Sequence, residues 1–233
     1  MKIALFGYGK MGQLIERIAL EKKHKIVAKI DTDTQDIDFS IIDVAIDFSM
    51  PEAAFKNITK CLENNTPVIS GTTGWLDNYA DAVALCKEKQ GAFIYASNFS
   101  LGVNIFFELN SHLSKMMRGL DTYEVAIEEI HHTQKLDAPS GTAITLAEDI
   151  IINSDFESWK LNEKTPGHIP ITSKRIGTTP GTHTVQYSSL VDDISIKHTA
   201  HNREGFANGA VVAAEWIIGK TGVFTMRDVL NLG

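Results

Sequence analysis

Gly7-Tyr8-Gly9-Lys10-Met11-Gly12 is the stretch that most restricts what this chain can fold into, and its neighbours decide its meaning. Ile3-Ala4-Leu5-Phe6 before it is a short continuous apolar run, as a strand buried on both faces requires. Leu14, Ile15, Ile18 and Ala19 after it recur at helical spacing. A second run, Ile26-Val27-Ala28-Lys29-Ile30, ends at Asp31, nineteen positions beyond Gly12. Strand, G-x-G-x-x-G turn, helix, strand and acid in this order predict a parallel β-α-β unit that binds a dinucleotide. Gly7 makes the tight turn, Gly9 lets backbone amides approach a pyrophosphate, and Gly12 lets helix and strand pack closely. Asp31 stands where an acid holds ribose hydroxyls.

The alternation continues. Val44-Ala45-Ile46-Asp47-Phe48 reads as a strand, and Pro51 opens a helix at its favoured first position. Pro67-Val68-Ile69-Ser70 is a strand ending in the small-residue loop Gly71-Thr72-Thr73-Gly74. A helix over 77–89 leads to the strand Ala92-Phe93-Ile94-Tyr95 and a second polar loop, Ala96-Ser97-Asn98-Phe99-Ser100. Ligands of open α/β sheets bind at the carboxyl ends of the strands, where these loops and Phe48-Ser49 fall. The expected fold class is α/β, a Rossmann-type doubly wound parallel sheet joined to a second α+β domain with a mixed or antiparallel sheet. Residues 1–100 and 206–233 would form the dinucleotide-binding domain, the last part as an apolar helix (Ala207, Val211, Val212, Ala214, Trp216, Ile217) returning to cover one face. Residues 101–205 would form the substrate and oligomerisation domain. An amphipathic helix runs there to about Met117, the 154–168 segment reads as a loop, and three strand-like runs follow from Ile169.

The second chemical centre is Glu128-Glu129-Ile130-His131-His132-Thr133-Gln134-Lys135-Leu136-Asp137-Ala138-Pro139-Ser140-Gly141-Thr142-Ala143. Tyr123 to Ile127 before it alternates as a strand does; Ile144, Leu146, Ala147, Ile150 and Ile151 after it have helical spacing. The donors therefore sit on a strand-to-helix loop, with Ser140 as the expected N-cap. Amides at a helix start attract anions, and two histidines and a lysine beside one suit a carboxylate or phosphate site that also supplies protons.

The net charge of −7 and the lack of a basic stripe argue against nucleic acid as partner. Cys61 and Cys86 make no C-x-x-C pair, which argues against a zinc site and a disulfide framework. No apolar run reaches the roughly 18 residues that span a bilayer. A reducing, cytoplasmic location is expected, with no membrane partner and no metal.

The motifs resemble those of the 4-hydroxy-tetrahydrodipicolinate reductase family, long called dihydrodipicolinate reductases. The resemblance rests on His131-His132, Lys135 and Asp137 to Ala143, on Gly71-Thr72-Thr73-Gly74, and on Asn98-Phe99-Ser100 with Gly102-Val103-Asn104. Phe206-Ala207-Asn208-Gly209-Ala210 and Met226-Arg227-Asp228-Val229-Leu230 complete it, so it spans the chain from end to end. It implies reduction of a cyclic imine dicarboxylate by hydride from a nicotinamide cofactor, in a homotetramer. By resemblance His131 is the catalytic acid/base and Lys135 a second proton donor, while His132, Ser140, Gly141 and Thr142 bind substrate. Gly7, Tyr8, Gly9, Lys10, Met11 and Gly12, with Gly71, Thr72, Thr73, Ala96, Ser97, Asn98 and Phe99, match cofactor contacts. Many relatives carry a basic residue just after the acid where this chain has Thr32.

That position bears on cofactor choice. Asp31 repels a 2′-phosphate and Thr32, Asp33 and Thr34 supply no cation, so NADH is expected to be favoured, with NADPH usable if Lys10 reaches the phosphate. Three other readings compete: a metal hydrolase using His131, His132, His183, His198 or His201, a non-catalytic nucleotide-sensing module, and another NAD(P)-dependent reductase of a small dicarboxylate.

Overall fold

The computed structural model describes residues 1–31 and 37–232. In chain order these form β1 (Lys2–Phe6), α1 (Lys10–Glu21), β2 (Lys25–Ile30), β3 (Val44–Asp47), α2 (Pro51–Glu63), β4 (Val68–Ser70), α3 (Tyr79–Glu88) and β5 (Ala92–Tyr95). Then come α4 (Leu101–Met117), β6 (Glu124–His131), α5 (Gly141–Ile152), β7 (Ser158–Leu161), β8 (His168–Arg175), β9 (Gly181–Ser188) and β10 (Asp193–Ala200). The chain closes with α6 (Glu204–Ile217), β11 (Gly222–Phe224) and α7 (Met226–Val229). Two compact units result, Met1–Leu101 with Glu204–Gly233, and Gly102–Arg203.

In the first unit six strands lie in the order β11-β5-β4-β3-β1-β2, every pairing parallel. A parallel sheet must be covered on both faces, and each face has its own apolar cluster. Ile3, Leu5, Ile46, Ile69 and Ile94 pack with Ile15 and Ala19 of α1 and with the small-residue face of α6, Ala207, Ala210, Val211 and Ala214. The alternate strand residues Ala4, Phe6, Ala45, Val68 and Phe93 pack with Ile58, Cys61 and Leu62 of α2 and with Ala82 and Cys86 of α3. Gly209 lets α6 approach closely, because a Cβ there would lie 1.8 Å from the Phe99 carbonyl oxygen.

In the second unit five strands lie in the order β10-β9-β6-β8-β7. The sheet is mixed: β6 runs parallel to β8 and antiparallel to β9. Val125, Ile127, Ile171, Val185 and Tyr187 project from one face against Phe106 and Leu113 of α4 and Ala143, Leu146 and Ile150 of α5. The Rossmann-type sheet and second mixed sheet are thus those the sequence led us to expect.

Three local readings change. The 154–168 segment contains β7, which pairs with β8 from Ser158↔His168 to Leu161↔Ile171. A half-buried four-residue edge strand is too short to show alternation. The same holds for β11, three residues long and paired with β5. The helix read over 77–89 splits into a 3₁₀ turn at Leu76–Asn78 and α3.

Candidate active site

The glycine turn lies at the carboxyl end of β1. Gly7 has φ +86° and a Cβ on it would meet the Phe48 carbonyl oxygen at 2.2 Å, so only glycine fits. A Cβ on Gly12 would lie 2.3 Å from the Gly7 oxygen, whereas one on Gly9 would meet no atom within 4 Å. Gly9 is the N-cap of α1, offers no side-chain cap and borders open space. That space is a cleft of about 380 Å³ lined by Gly7, Gly9, Ile30, Asp31, Phe48 and Ser49, among others. Asp31 accepts a hydrogen bond from the Tyr8 amide at 3.3 Å and is exposed. A glycine turn, an uncapped helix start and an acid on one cleft fit the pyrophosphate and ribose of a dinucleotide.

The other predicted cofactor residues divide by what their side chains already do. Thr72 is buried and donates to Asp47 at 2.7 Å, while Thr73, Ser97 and Lys10 are exposed. Asn98 accepts from the Ser100 amide at 2.9 Å, which makes it a turn residue as well. The Phe99 ring is buried against Phe48 with centroids 5.7 Å apart, and its carbonyl lies against Gly209 of α6. The Tyr8 hydroxyl donates to Glu16 and accepts from Lys29 at 3.0 Å. Met11 packs partly against the core. Thr32, Asp33 and Thr34 lie outside the described residues.

The second centre lies at the carboxyl end of β6. Residues 125, 127, 129 and 131 share the inward face of this strand, so the apolar row Val125, Ile127 continues as Glu129 and His131. Register sets Glu129 opposite Ser173 of β8 and His183 of β9, and His131 opposite Arg175. Glu129 is fully buried. Both its oxygens accept from the Ser140 amide at 3.1 Å, and Oε1 also accepts from Ser173 Oγ at 2.7 Å. The Arg175 guanidinium donates to Oε1 from both terminal nitrogens, at 3.3 and 3.2 Å. His131 Nδ1 stands 3.3 Å from Oε2, at ion-pair distance but off the line of a hydrogen bond. Burial alone would raise the Glu129 carboxyl, but the groups around it, His131, His183, Ser140 and Ser173, outweigh burial and hold it far below the usual carboxylate range. Burial pushes the His183 ring below its ordinary value, with Glu129 opposing.

Ser140 caps α5: its Oγ accepts from the Ala143 amide at 3.2 Å and meets His183 Nε2 at 3.0 Å. The amides of Gly141 and Thr142 precede the first intrahelical bond of α5 and provide its anion-attracting end. The Ala138–Pro139 peptide is cis. Lys135 Nζ contacts both Asp137 carboxylate oxygens at 2.7 Å. Arg175 ties this loop down, donating to the Asp137 carbonyl at 2.6 Å and the Lys135 carbonyl at 3.2 Å. His131, Lys135, Ser140, Gly141 and Thr142 therefore fall between the end of β6 and the first turn of α5, together with half-buried His132. Sequence reading gave no role to Glu129, Arg175 or Asp47. The signal for Glu129 was an acid at an inward position of an alternating strand.

Ligand atoms of Glu129, His131 and His183 lie within 4.8 Å of one another, close enough for a metal ion. The carboxylate is already met by a guanidinium, a hydroxyl and an amide, so its charge is answered by the protein's own donors.

Comparison with known proteins decides the family. Models described as dihydrodipicolinate reductase, N-terminus and C-terminus, match residues 1–99 and 102–230. The chain belongs to the dihydrodipicolinate reductase family. It is 61% identical over 234 residues to a 4-hydroxy-tetrahydrodipicolinate reductase of Christiangramia forsetii, covering 99% of this chain and 98% of that one. A Neisseria meningitidis protein of the same name is 37% identical over 199 residues, 82% of this chain and 73% of the other. In fold the chain is similar to a dipicolinate-bound dihydrodipicolinate reductase from Paenisporosarcina sp. TG-14, with TM-score 0.80, 24% identity and 97% of each chain covered. As a dihydrodipicolinate reductase family member the chain is an NAD(P)H-dependent oxidoreductase with a Rossmann-type nucleotide unit. No helix among the described residues is long and apolar enough to cross a membrane.

Proposed function

We propose that this chain reduces 4-hydroxy-tetrahydrodipicolinate, by way of dihydrodipicolinate, to tetrahydrodipicolinate with NAD(P)H, as a step of lysine and diaminopimelate biosynthesis. The observation that carries the reading is the end-to-end family match of a chain that holds both a glycine-turn cleft and a buried histidine beside a capped helix start. The reduced nicotinamide supplies the hydride when bound. Gly7 to Gly12, Gly71 to Thr73 and Ala96 to Phe99 hold the cofactor, and Asp31 takes the adenine ribose hydroxyls. His131 delivers the proton that quenches negative charge developing on the ring, and Lys135 serves as second donor. The Gly141 and Thr142 amides and His132 bind a substrate carboxylate, with Ser140 setting the helix start they project from. The test follows loss of reduced-cofactor absorbance with freshly made substrate. Cofactor binding without turnover overturns the reading in favour of a nucleotide sensor.

NADH is the preferred cofactor. Two like charges 4 Å apart cost about 1 kcal/mol in water and about 4 at an effective dielectric of 20, and a 2′-phosphate would meet Asp31. Lys29, the cation two residues before Asp31, already pairs with Glu16 at 2.7 Å. Lys10 opens α1 and is exposed, so Lys10→Ala lowers kcat/KM for NADPH more than for NADH. A wild-type preference for NADPH of about tenfold (~1.4 kcal/mol) or more overturns this assignment of Asp31. The working form is a cytoplasmic homotetramer assembled through the second unit, which light scattering on the purified protein checks.

A further inference from the structure

Two ties converge on Glu129 that the reduction as described above does not use. One runs to the shielded nitrogen of His131, 3.3 Å from Oε2. The other runs to the start of α5 through the Ser140 amide, 3.1 Å from each oxygen. Arg175 closes the arrangement: it forks onto Glu129 Oε1 and reaches the carbonyls of Lys135 and Asp137. One buried carboxylate thus touches the proposed acid, the start of the carboxylate-binding helix and, through Arg175, the loop carrying Lys135.

We propose that Glu129 is the positioning residue of this site: it holds His131 with Nδ1 protonated and turned inward, so that Nε2 is the nitrogen that carries the transferred proton. The inference rests on the reading of His131 as the acid. A carboxylate 3.3 Å from Nδ1 favours a proton there in both the neutral ring and the imidazolium. At position 181 glycine keeps the space beside Nε2 clear, since a Cβ there would lie 3.1 Å from it. An ionised Glu129 also stabilises the charged ring from which the proton leaves. Its ionisation is secured by the donors around it, which outweigh burial. The titratable and charged groups facing Glu129 are His131 on its own strand, His183 on β9, Arg175 on β8, and Lys135 and Asp137 on the loop.

The test has two arms. In the wild-type protein, ¹⁵N correlation spectra of the His131 ring identify the protonated nitrogen of the neutral form. Nδ1–H is expected, and Nε2–H overturns the proposal; this arm needs no variant to fold. In the second arm, kcat is measured against pH for Glu129→Gln and Glu129→Asp. Glu129→Gln keeps shape and loses charge, so kcat falls at least tenfold and the alkaline limb moves to lower pH, because the imidazolium loses its counter-ion. Glu129→Asp restores the position of that limb. A lowered kcat with an unmoved limb marks Glu129 as structural only and overturns the proposal. His131→Ala separates the two claims. If it keeps wild-type kcat, the acid assignment itself fails; if it loses kcat while Glu129→Gln keeps an unmoved profile, only the role of Glu129 fails.

Discussion

Thr72 Oγ1 donates to Asp47 Oδ2 at 2.7 Å and accepts from the Ser49 amide at 2.9 Å, so one hydroxyl joins the loops that follow β3 and β4. Asp47 is fully buried and takes three further donors: Ser49 Oγ at 2.7 Å, Asn57 Nδ2 at 3.0 Å and Ser70 Oγ at 2.8 Å. Burial pushes this carboxyl above its usual range, and the four donors oppose that shift without cancelling it. Both loops belong to the proposed cofactor site. Thr72→Val keeps the shape and removes both bonds. We expect a loss of about 1–3 kcal/mol in stability and a raised KM for the cofactor, with kcat less affected. Chemical denaturation and steady-state kinetics check it, and an unchanged cofactor KM counts against a positioning role for Thr72.

Gly9 and Gly12 share a turn and differ in what surrounds them. Gly12→Ala drives a methyl into the Gly7 carbonyl, 2.3 Å away, and should lower the melting temperature of the free protein. Gly9 has φ −75° and open space, so Gly9→Ala should fold with near-native stability. Its methyl instead occupies room that the dinucleotide needs, and a cofactor Kd at least tenfold weaker (~1.4 kcal/mol) is expected from titration of the free enzyme. Equal stability losses in the two variants would show the contrast to be wrong.

His131→Ala and Lys135→Ala are each expected to lower kcat by roughly 10²- to 10⁴-fold, the usual worth of a positioned acid. His132→Ala should mainly raise KM, because its proposed role is binding. Steady-state kinetics with fresh substrate decide between them. Near-native kcat in His131→Ala, with KM alone changed, removes His131 from the chemistry.

Acid should weaken the second unit. His183 is pushed below its ordinary value of 6.5, so as pH falls below that value the unfolded chain binds a proton the folded one resists. Glu129 is held far below its ordinary 4.5, so its contribution is present above 4.5 and begins to be lost as pH falls below it. Both shifts have the same sign, and stability drops from pH about 6.5 downward. Hydrogen-exchange protection of β6, β8 and β9, corrected for intrinsic rates, should fall between pH 7.5 and pH 5.5. Asp47 in the first unit is shifted upward and works the other way, so protection of β3 and β4 is the internal comparison. Constant protection in β6 and β9 would contradict the sign.

Much of the fold was legible because local rules and tertiary structure agree there. Continuous apolar runs became the parallel strands, Pro51 opens α2, and Ser140 caps α5. What escaped was short or non-local. β7 and β11 have four and three residues, less than alternation needs to show itself, and each is fixed by pairing with a longer partner. In the proposed site His131, Lys135 and Ser140 were legible because they fall within one stretch of sequence.

The sequence by itself determined the sheet type of each unit and marked the two proposed centres, because glycine turns, helix caps and hydrophobic period are local consequences of residue type. Only the tertiary structure decided how each centre is wired. Arg175 lies 46 residues from Glu129 along the chain and Ser70 lies 23 from Asp47, and no local rule relates them. Register and packing bring these groups together: a buried charge is tolerated only where donors converge on it, and convergence is a property of the folded sheet.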